Sequence, residues 1–255
     1  MKTPANGPKI IDKSANIRQK LSLGQASPFQ TYRELTWGHE DRGAFWRYEL
    51  LTSLLGPLPG GLGFYLRKLF YPRLFKSFGR GVIIGRNVVL RHPRRIRLGN
   101  HVTVDDNCVL DARGAGQGGL VLENDVLVNR NCMLLAKSGP IHFGRRTSLG
   151  SNSVVVSMDG VALGEAVLTA GGCYLSAGAY RFESSAAVMD QEAYTTGPIR
   201  IGDKAWLGTR VTVLDGVHIG AGAVVGACAL VNRDIPERAI AVGIPARVVR
   251  IREYT

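Results

Sequence analysis

The sequence predicts an all-β solenoid, a parallel β-helix, with a helical N-terminal extension and a C-terminal helix. Three observations predict it. First, aliphatic residues recur six apart: Ile84, Leu90, Ile96; Leu98, Val104, Leu110; Leu122, Val128, Leu134; Phe143, Leu149, Val155, Val161; and Ile201, Leu207, Val213, Ile219, Val225, Val231. Second, the next residue is often glycine, as at Gly85, Gly99, Gly144, Gly150, Gly202 and Gly220. Third, a small residue stands four places on, as Cys108, Cys132 and Cys173 do from Val104, Val128 and Thr169. Six is neither the helix period nor the simple strand period. It fits a short strand whose apolar residue points inward, followed by a sharp corner. Three such hexads make a triangular coil of about 18 residues, and stacked coils form three parallel sheets with strands about 4.8 Å apart.

The repeat divides the chain. Residues 1–26 read as a partly flexible arm, 27–80 as a helical, basic and apolar extension, and 81–235 as the β-helix. Residues 236–255 read as an extended crossing and then a helix from about Pro245. Ser27-Pro28 is a helix start, a capping serine before a proline at the first helical position. Arg42 to Leu55 is broadly amphipathic. The uncharged stretch LLTSLLGPLPGGLGFYL, residues 50–66, is interrupted by Gly56, Pro57, Pro59, Gly60, Gly61 and Gly63, which argues against a transmembrane helix.

The repeat breaks once. From Leu163 to Ile201 is 38 residues, where one coil needs about 18 to 20. Residues 177–198 are therefore expected as an extruded loop, and long ordered loops on rigid scaffolds are often functional.

The net charge is +12, with +8 in residues 1–80 and +4 in residues 81–255. Between Leu50 and Arg80 there are bases but no acid. A basic balance favours anionic partners such as phosphate, glycan or lipid. No helix-turn-helix, zinc-finger or RNA-binding signature supports nucleic acid. The four cysteines form no CxxC pair, and three of them read as small core fillers. The N-terminus shows no apolar signal segment, so a reducing cytoplasm is expected. For residues 42–80 two readings stay open. They pack on the first coil or on another subunit, or they lie on the anionic inner face of the cytoplasmic membrane.

The stretch IGDKAWLGTRVTVLDGVHIGAGAVVGACALVNRDIPERAIAVGIPARVVRIRE, residues 201–253, resembles the hexapeptide-repeat acyltransferases, in their galactoside/maltose and polysaccharide O-acetyltransferase branch. Trp-Leu-Gly, Asp-Ile-Pro and Gly-Ile-Pro-Ala-Arg-Val carry the resemblance, which extends over roughly residues 81–253. It implies a left-handed β-helix, a homotrimer with sites between subunits, acetyl-CoA or another acyl-CoA as co-substrate, a sugar or glycan acceptor, and no metal. Matching positions then imply donor contacts at Thr209, Ala227, Asn232, Arg233 and Arg250. Trp206 and Arg181 are the implied acceptor contacts.

The same resemblance implies a histidine in the extruded loop. Such a base takes the proton of an acceptor hydroxyl as it attacks the thioester. This loop has none. The five histidines are His39, His92, His101, His142 and His218, and the last three are expected to face outward. The window where the histidine is expected reads Tyr180-Arg181-Phe182-Glu183-Ser184. Glu183 is the candidate base, with Tyr180 and Ser184 as further catalytic candidates. The expectation is thus an acyl-CoA-dependent O-acetyltransferase acting on a cell-surface or lipid-linked glycan precursor. The alternative is a trimeric scaffold that has lost its base.

Overall fold

The computed structural model describes residues 9–10, 27–38, 42–180, 185, 187–188 and 193–253. The solenoid is built from three parallel sheets. The first runs from Ile83–Ile84 to the C-terminal strands and has nine strands. The second runs from Val89–Arg91 to Leu230–Val231, and the third from Ser77–Phe78 to His218–Ile219, with seven strands each. Successive coils repeat one order: a two-residue strand in the first sheet, a longer one in the second, then one in the third.

The hexad residues point into this triangle. Leu90, Ile96, Leu110, Leu134, Phe143, Leu149, Val155, Leu207 and Val213 are all buried. Each such side chain contributes about 1.5–3 kcal/mol through burial, so the stacked rows are the core. Cys108, Cys132 and Cys173 are buried within it, while Cys228 is exposed. Thr169 breaks the aliphatic row yet is also buried. Its hydroxyl accepts the Gly150 N–H at 3.1 Å, which removes the cost of a buried unpaired oxygen.

The turns at two of the three corners need a left-handed residue. Asn87, Asn107, Asn131, Asn152, Gly172, Arg210 and Cys228 take that place between the first and second sheets. Asparagine and glycine are the residues that adopt it most easily. From Asn107 on, each N–H there bonds to a carbonyl of the coil before, as Cys228 does to Thr209 at 2.8 Å, while Asn87 in the first coil bonds to Gly56.

The C-terminus corrects an expectation. The described residues 236–253 form strands and not the helix expected from about Pro245. Ala239–Val242 adds to the first sheet, parallel to Val224–Val225, and Arg247–Ile251 runs back antiparallel along it. Val248, Val249 and Ile251 are β-branched and suit a strand. The strand also pairs the sheet edge that a helix would have left open to other chains.

In the extension, helix α1 spans Pro28–Thr36, α2 spans Arg42–Leu55 and α3 spans Gly60–Phe70. Ser27 and Gln30 form a capping box at the start of α1. The three helices pack on the first coil. The Tyr48 hydroxyl donates to the Leu90 carbonyl at 2.6 Å. Arg67, only 4% exposed, donates through Nε to the Ile84 carbonyl and through Nη1 to the carbonyls of Leu55 and Leu58. No helix among the described residues is long and apolar enough to cross a membrane.

Candidate functional site

The last coils bring part of the expected site together. Trp206 lies on the outward face of the first sheet, 49% exposed. Strand register sets Leu168, Trp206, Val224, Ile240 and Arg250 in one row across that sheet. Three residues after Trp206 the chain turns the corner into the second sheet, and Thr209 stands there, with Ala227 one coil on. Both are exposed. On this corner the residue before the left-handed one is Arg86, Asp106, Arg130, Ser151, Gly171, Thr209 and Ala227 in successive coils. Charged side chains thus give way to small ones. The result is a smooth track of about 14 Å at 4.8 Å per coil, with the Trp206–Arg250 row beside it. A long thin acyl carrier needs small neighbours and backbone groups along its arm, and a base where its phosphates lie. This track and Arg250 fit such a group.

Asn232 and Arg233 are placed differently. They follow Leu230–Val231 and sit on the next corner, between the second and third sheets, both exposed. Within one subunit they share no corner with Thr209 and Ala227. They share theirs with the extruded segment, which leaves the solenoid after Tyr174–Ala177 and rejoins it at Ile199–Ile201. Gly178 makes the exit with φ +153°, and a Cβ there would lie 2.5 Å from Met158 Sδ. The base of the segment is an antiparallel ribbon in which Ala179–Tyr180 pairs with Ala193–Thr195. Lys9–Ile10 adds a third strand. Thr196 fastens the return, its N–H and hydroxyl both donating to the Asp215 carboxylate at 2.8 and 2.7 Å.

Tyr180 therefore ends a strand at the root of the loop and is 46% exposed. Arg181, Glu183 and Ser184 lie outside the described residues, as does His39. The other histidines stand away from the track. His142 and His218 lie on the outward face of the third sheet and His101 on the corner after it. His142 Nε2 meets Glu123 at 2.9 Å and His101 Nδ1 meets Asp125 at 3.2 Å. His92 is half-buried under α1, its Nε2 donating to the Glu34 carbonyl at 2.7 Å. Burial holds its pKa below the usual value. Among the described residues no three His, Cys, Asp or Glu side chains converge as metal ligands would.

Two features escaped the sequence reading. Asp111 is 3% exposed at the corner between the second and third sheets. Its carboxylate pairs with Arg113 Nη2 at 2.6 Å and accepts from Nε at 2.8 Å. Beside it, burial and the nearby Arg113 cation push the Lys137 pKa down. The signal was the lengthened coil DARGAGQGG, residues 111–119, which interrupts the hexad.

The comparisons bear on these same coils. A model described as "Bacterial transferase hexapeptide (six repeats)" matches residues 198–233, and "Hexapeptide repeat of succinyl-transferase" matches 140–177. The protein called "Probable acetyltransferase Rv3034c" of Mycobacterium tuberculosis is 36% identical over 120 residues, 47% of this chain and 40% of that one. The galactoside O-acetyltransferase of Escherichia coli is 36% identical over 110 residues, 43% of this chain and 53% of that one. The chain thus spans about half the length, or less, of these curated relatives. A crystal structure of a variant of AntD, an N-acyltransferase from Bacillus cereus, in complex with dTDP and coenzyme A, superposes with a TM-score of 0.51. It covers 74% of this chain and 91% of that one at 20% identity, and shows the shared fold. With its six-residue rows and three-sheet coils, the chain carries hexapeptide repeats over residues 140–177 and 198–233 that are similar to those of bacterial hexapeptide transferases.

Proposed function

We propose that the protein is an acyl-CoA-dependent acyltransferase that O-acetylates a sugar or glycan hydroxyl, in the synthesis of a cell-surface or lipid-linked glycan. One observation carries this reading. The small-residue track through Thr209 and Ala227 lies beside the Trp206–Arg250 row, within the coils that resemble known transferases. Acyl-CoA would supply an activated thioester. Thr209 and Ala227 would admit its arm, and Arg250 would hold its phosphates as a charge-assisted partner. The acceptor oxygen attacks the thioester carbonyl carbon, the C–S bond breaks, and the hydroxyl proton passes to the leaving sulfur. A side chain near the track must carry that proton, and Glu183 in the extruded loop is the candidate. Tyr180 and Ser184 are the further catalytic candidates, to orient the acceptor or donate to the oxyanion, and Arg181 is the candidate to bind an anionic acceptor.

The protein is proposed to act as a homotrimer. Two of its three sheets carry apolar residues on their outward faces: Ile83, Leu127, Leu168 and Trp206 on the first, and Val89, Met133, Tyr174 and Leu214 on the second. The third presents Arg97, His142, Arg200 and His218. Two apolar faces meeting at one corner suit packing around a three-fold axis. In such a trimer the first sheet of one subunit would face the second sheet of the next, and the corner bearing Asn232, Arg233 and the loop would lie at the outer edge of that contact, beside a neighbouring subunit.

The second reading is a scaffold without turnover, favoured by the lack of histidine in residues 177–198. Acetyl-CoA incubated with the protein and a panel of sugar acceptors separates the two, with free thiol as the readout. Acceptor-dependent thiol release that Glu183→Gln abolishes supports the transferase. CoA binding without release, unchanged by Glu183→Gln, supports the scaffold.

A further inference from the structure

We infer that helices α2 and α3 form a docking surface for an anionic lipid bilayer. The inference is independent of the transfer chemistry. Among the described residues, the helical cap meets the solenoid through hydrogen bonds to the first coil. Tyr48 bonds to Leu90, Arg67 to Ile84, Asn87 to Gly56 and His92 to Glu34. The helices therefore close the N-terminal end of the solenoid and turn their other side outward.

That side is apolar. On α2, Trp46, Leu50 and Leu54 are spaced four apart and form one stripe. On α3, Leu62, Tyr65 and Leu69 form another by their spacing of three and four. Each of the six is more than half exposed. Phe29 of α1 stacks on Trp46, with ring centroids 6.0 Å apart, and widens the first stripe. A soluble surface seldom gathers so many large apolar side chains without something to cover them.

The charges around the stripes name the occupant. Arg47, Lys68, Arg73, Lys76 and Arg80 are exposed. The only acid between residues 42 and 80 is Glu49, and it accepts from the Tyr32 hydroxyl at 2.9 Å. Lys68 and Arg80 border a recess of about 390 Å3 floored by Pro72 and Phe78, where a lipid phosphate could sit. Two copies of this chain brought together through the patch would set base against base. An anionic bilayer offers acids at its surface and hydrocarbon beneath, which is what a basic amphipathic face binds. Helices this short lie in the interface and do not span. In a trimer with parallel subunits, three such faces would point the same way and bind together.

The test is flotation of the full chain with phosphatidylcholine vesicles, with or without about 30 mol% phosphatidylglycerol, at low and high salt. The protein is expected to float with anionic vesicles at least tenfold more than with neutral ones, and to be released by salt. Leu50→Glu/Leu69→Glu should abolish flotation. Lys68→Gln/Arg73→Gln/Lys76→Gln should weaken it about a hundredfold, from roughly 1 kcal/mol per base. Melting temperature and CoA binding, measured on the same samples, should stay as in the wild type. Wild type that stays with the solvent, or floats equally with both vesicles, overturns the inference. So does a double variant that changes the solution mass while the wild type ignores vesicles, since the stripes would then be a contact between copies.

Discussion

Trp206 and Arg250 stand in one row of the first sheet, joined through Val224 and Ile240. At strand spacing they are about 14 Å apart. Both flank the corner that carries Thr209 and Ala227. An indole level with Thr209 and a guanidinium two strands beyond Ala227 suit a ligand with an apolar-tolerant arm and an anionic head.

Arg250 is therefore expected to act on donor affinity alone. Arg250→Ala should raise the KM for acetyl-CoA about ten- to a hundredfold, the loss of one charge-assisted hydrogen bond of roughly 1.5–3 kcal/mol. It should leave kcat unchanged, because the residue is far from the bond that breaks. Steady-state kinetics over a range of acetyl-CoA concentrations checks the split.

Cys228 follows Ala227 on the track and is the exposed thiol of the four. Cys173 is buried, and burial pushes its pKa up, away from the reactive thiolate. Iodoacetamide should thus label Cys228 and spare Cys108, Cys132 and Cys173 in the folded protein. Saturating CoA should slow the labelling several-fold. Mass spectrometry after brief labelling reads both effects.

Arg67 ties the helical cap to the coil through the carbonyl of Ile84 and joins α3 to the end of α2 through those of Leu55 and Leu58. Arg67→Met leaves these acceptors without their donor, with an expected loss of about 3 kcal/mol. Chemical denaturation should show a lower midpoint, and hydrogen exchange should show α2 and α3 opening first.

His92 makes the stability of the cap depend on pH. Its pKa is depressed by burial and by the nearby Arg95, so the unfolded chain binds the proton more readily than the folded one. Stability is then full above the ordinary histidine pKa near 6.5 and falls as pH drops below it. Melting temperature should decline from pH 7 to about pH 5. His92→Asn should flatten that decline, since asparagine tolerates the left-handed backbone at this position, φ +51°.

The solenoid was legible because its rows are written in single residues. Ile84, Leu90 and Ile96 announce three walls, and Cys108, Cys132 and Cys173 announce crowded corners. The C-terminal strand was not, because Ala246 to Tyr254 satisfies a helical reading until the open edge of Ala239–Val242 is seen to need a partner. Trp206, Thr209, Ala227 and Arg250 were expected singly from the resemblance, and only the strand register puts Trp206 and Arg250 in one row, beside the corner of Thr209 and Ala227. That Asn232 and Arg233 belong to the next corner was written in the hexad count, Val231 standing one wall after Val225, but the resemblance grouped them with Thr209 and Ala227. For the loop, length and exit were legible from the count between Leu163 and Ile201. Why Gly178 marks the exit was not, because Met158, one coil back, supplies the reason.

Calorimetric titration of CoA into the wild type and into Ala227→Tyr tests the donor track most directly. The wild type should bind one CoA per chain, and Ala227→Tyr, which fills the track without touching the core, should bind none at an unchanged melting temperature. No heat of binding in the wild type, or equal binding in both, would contradict the assignment.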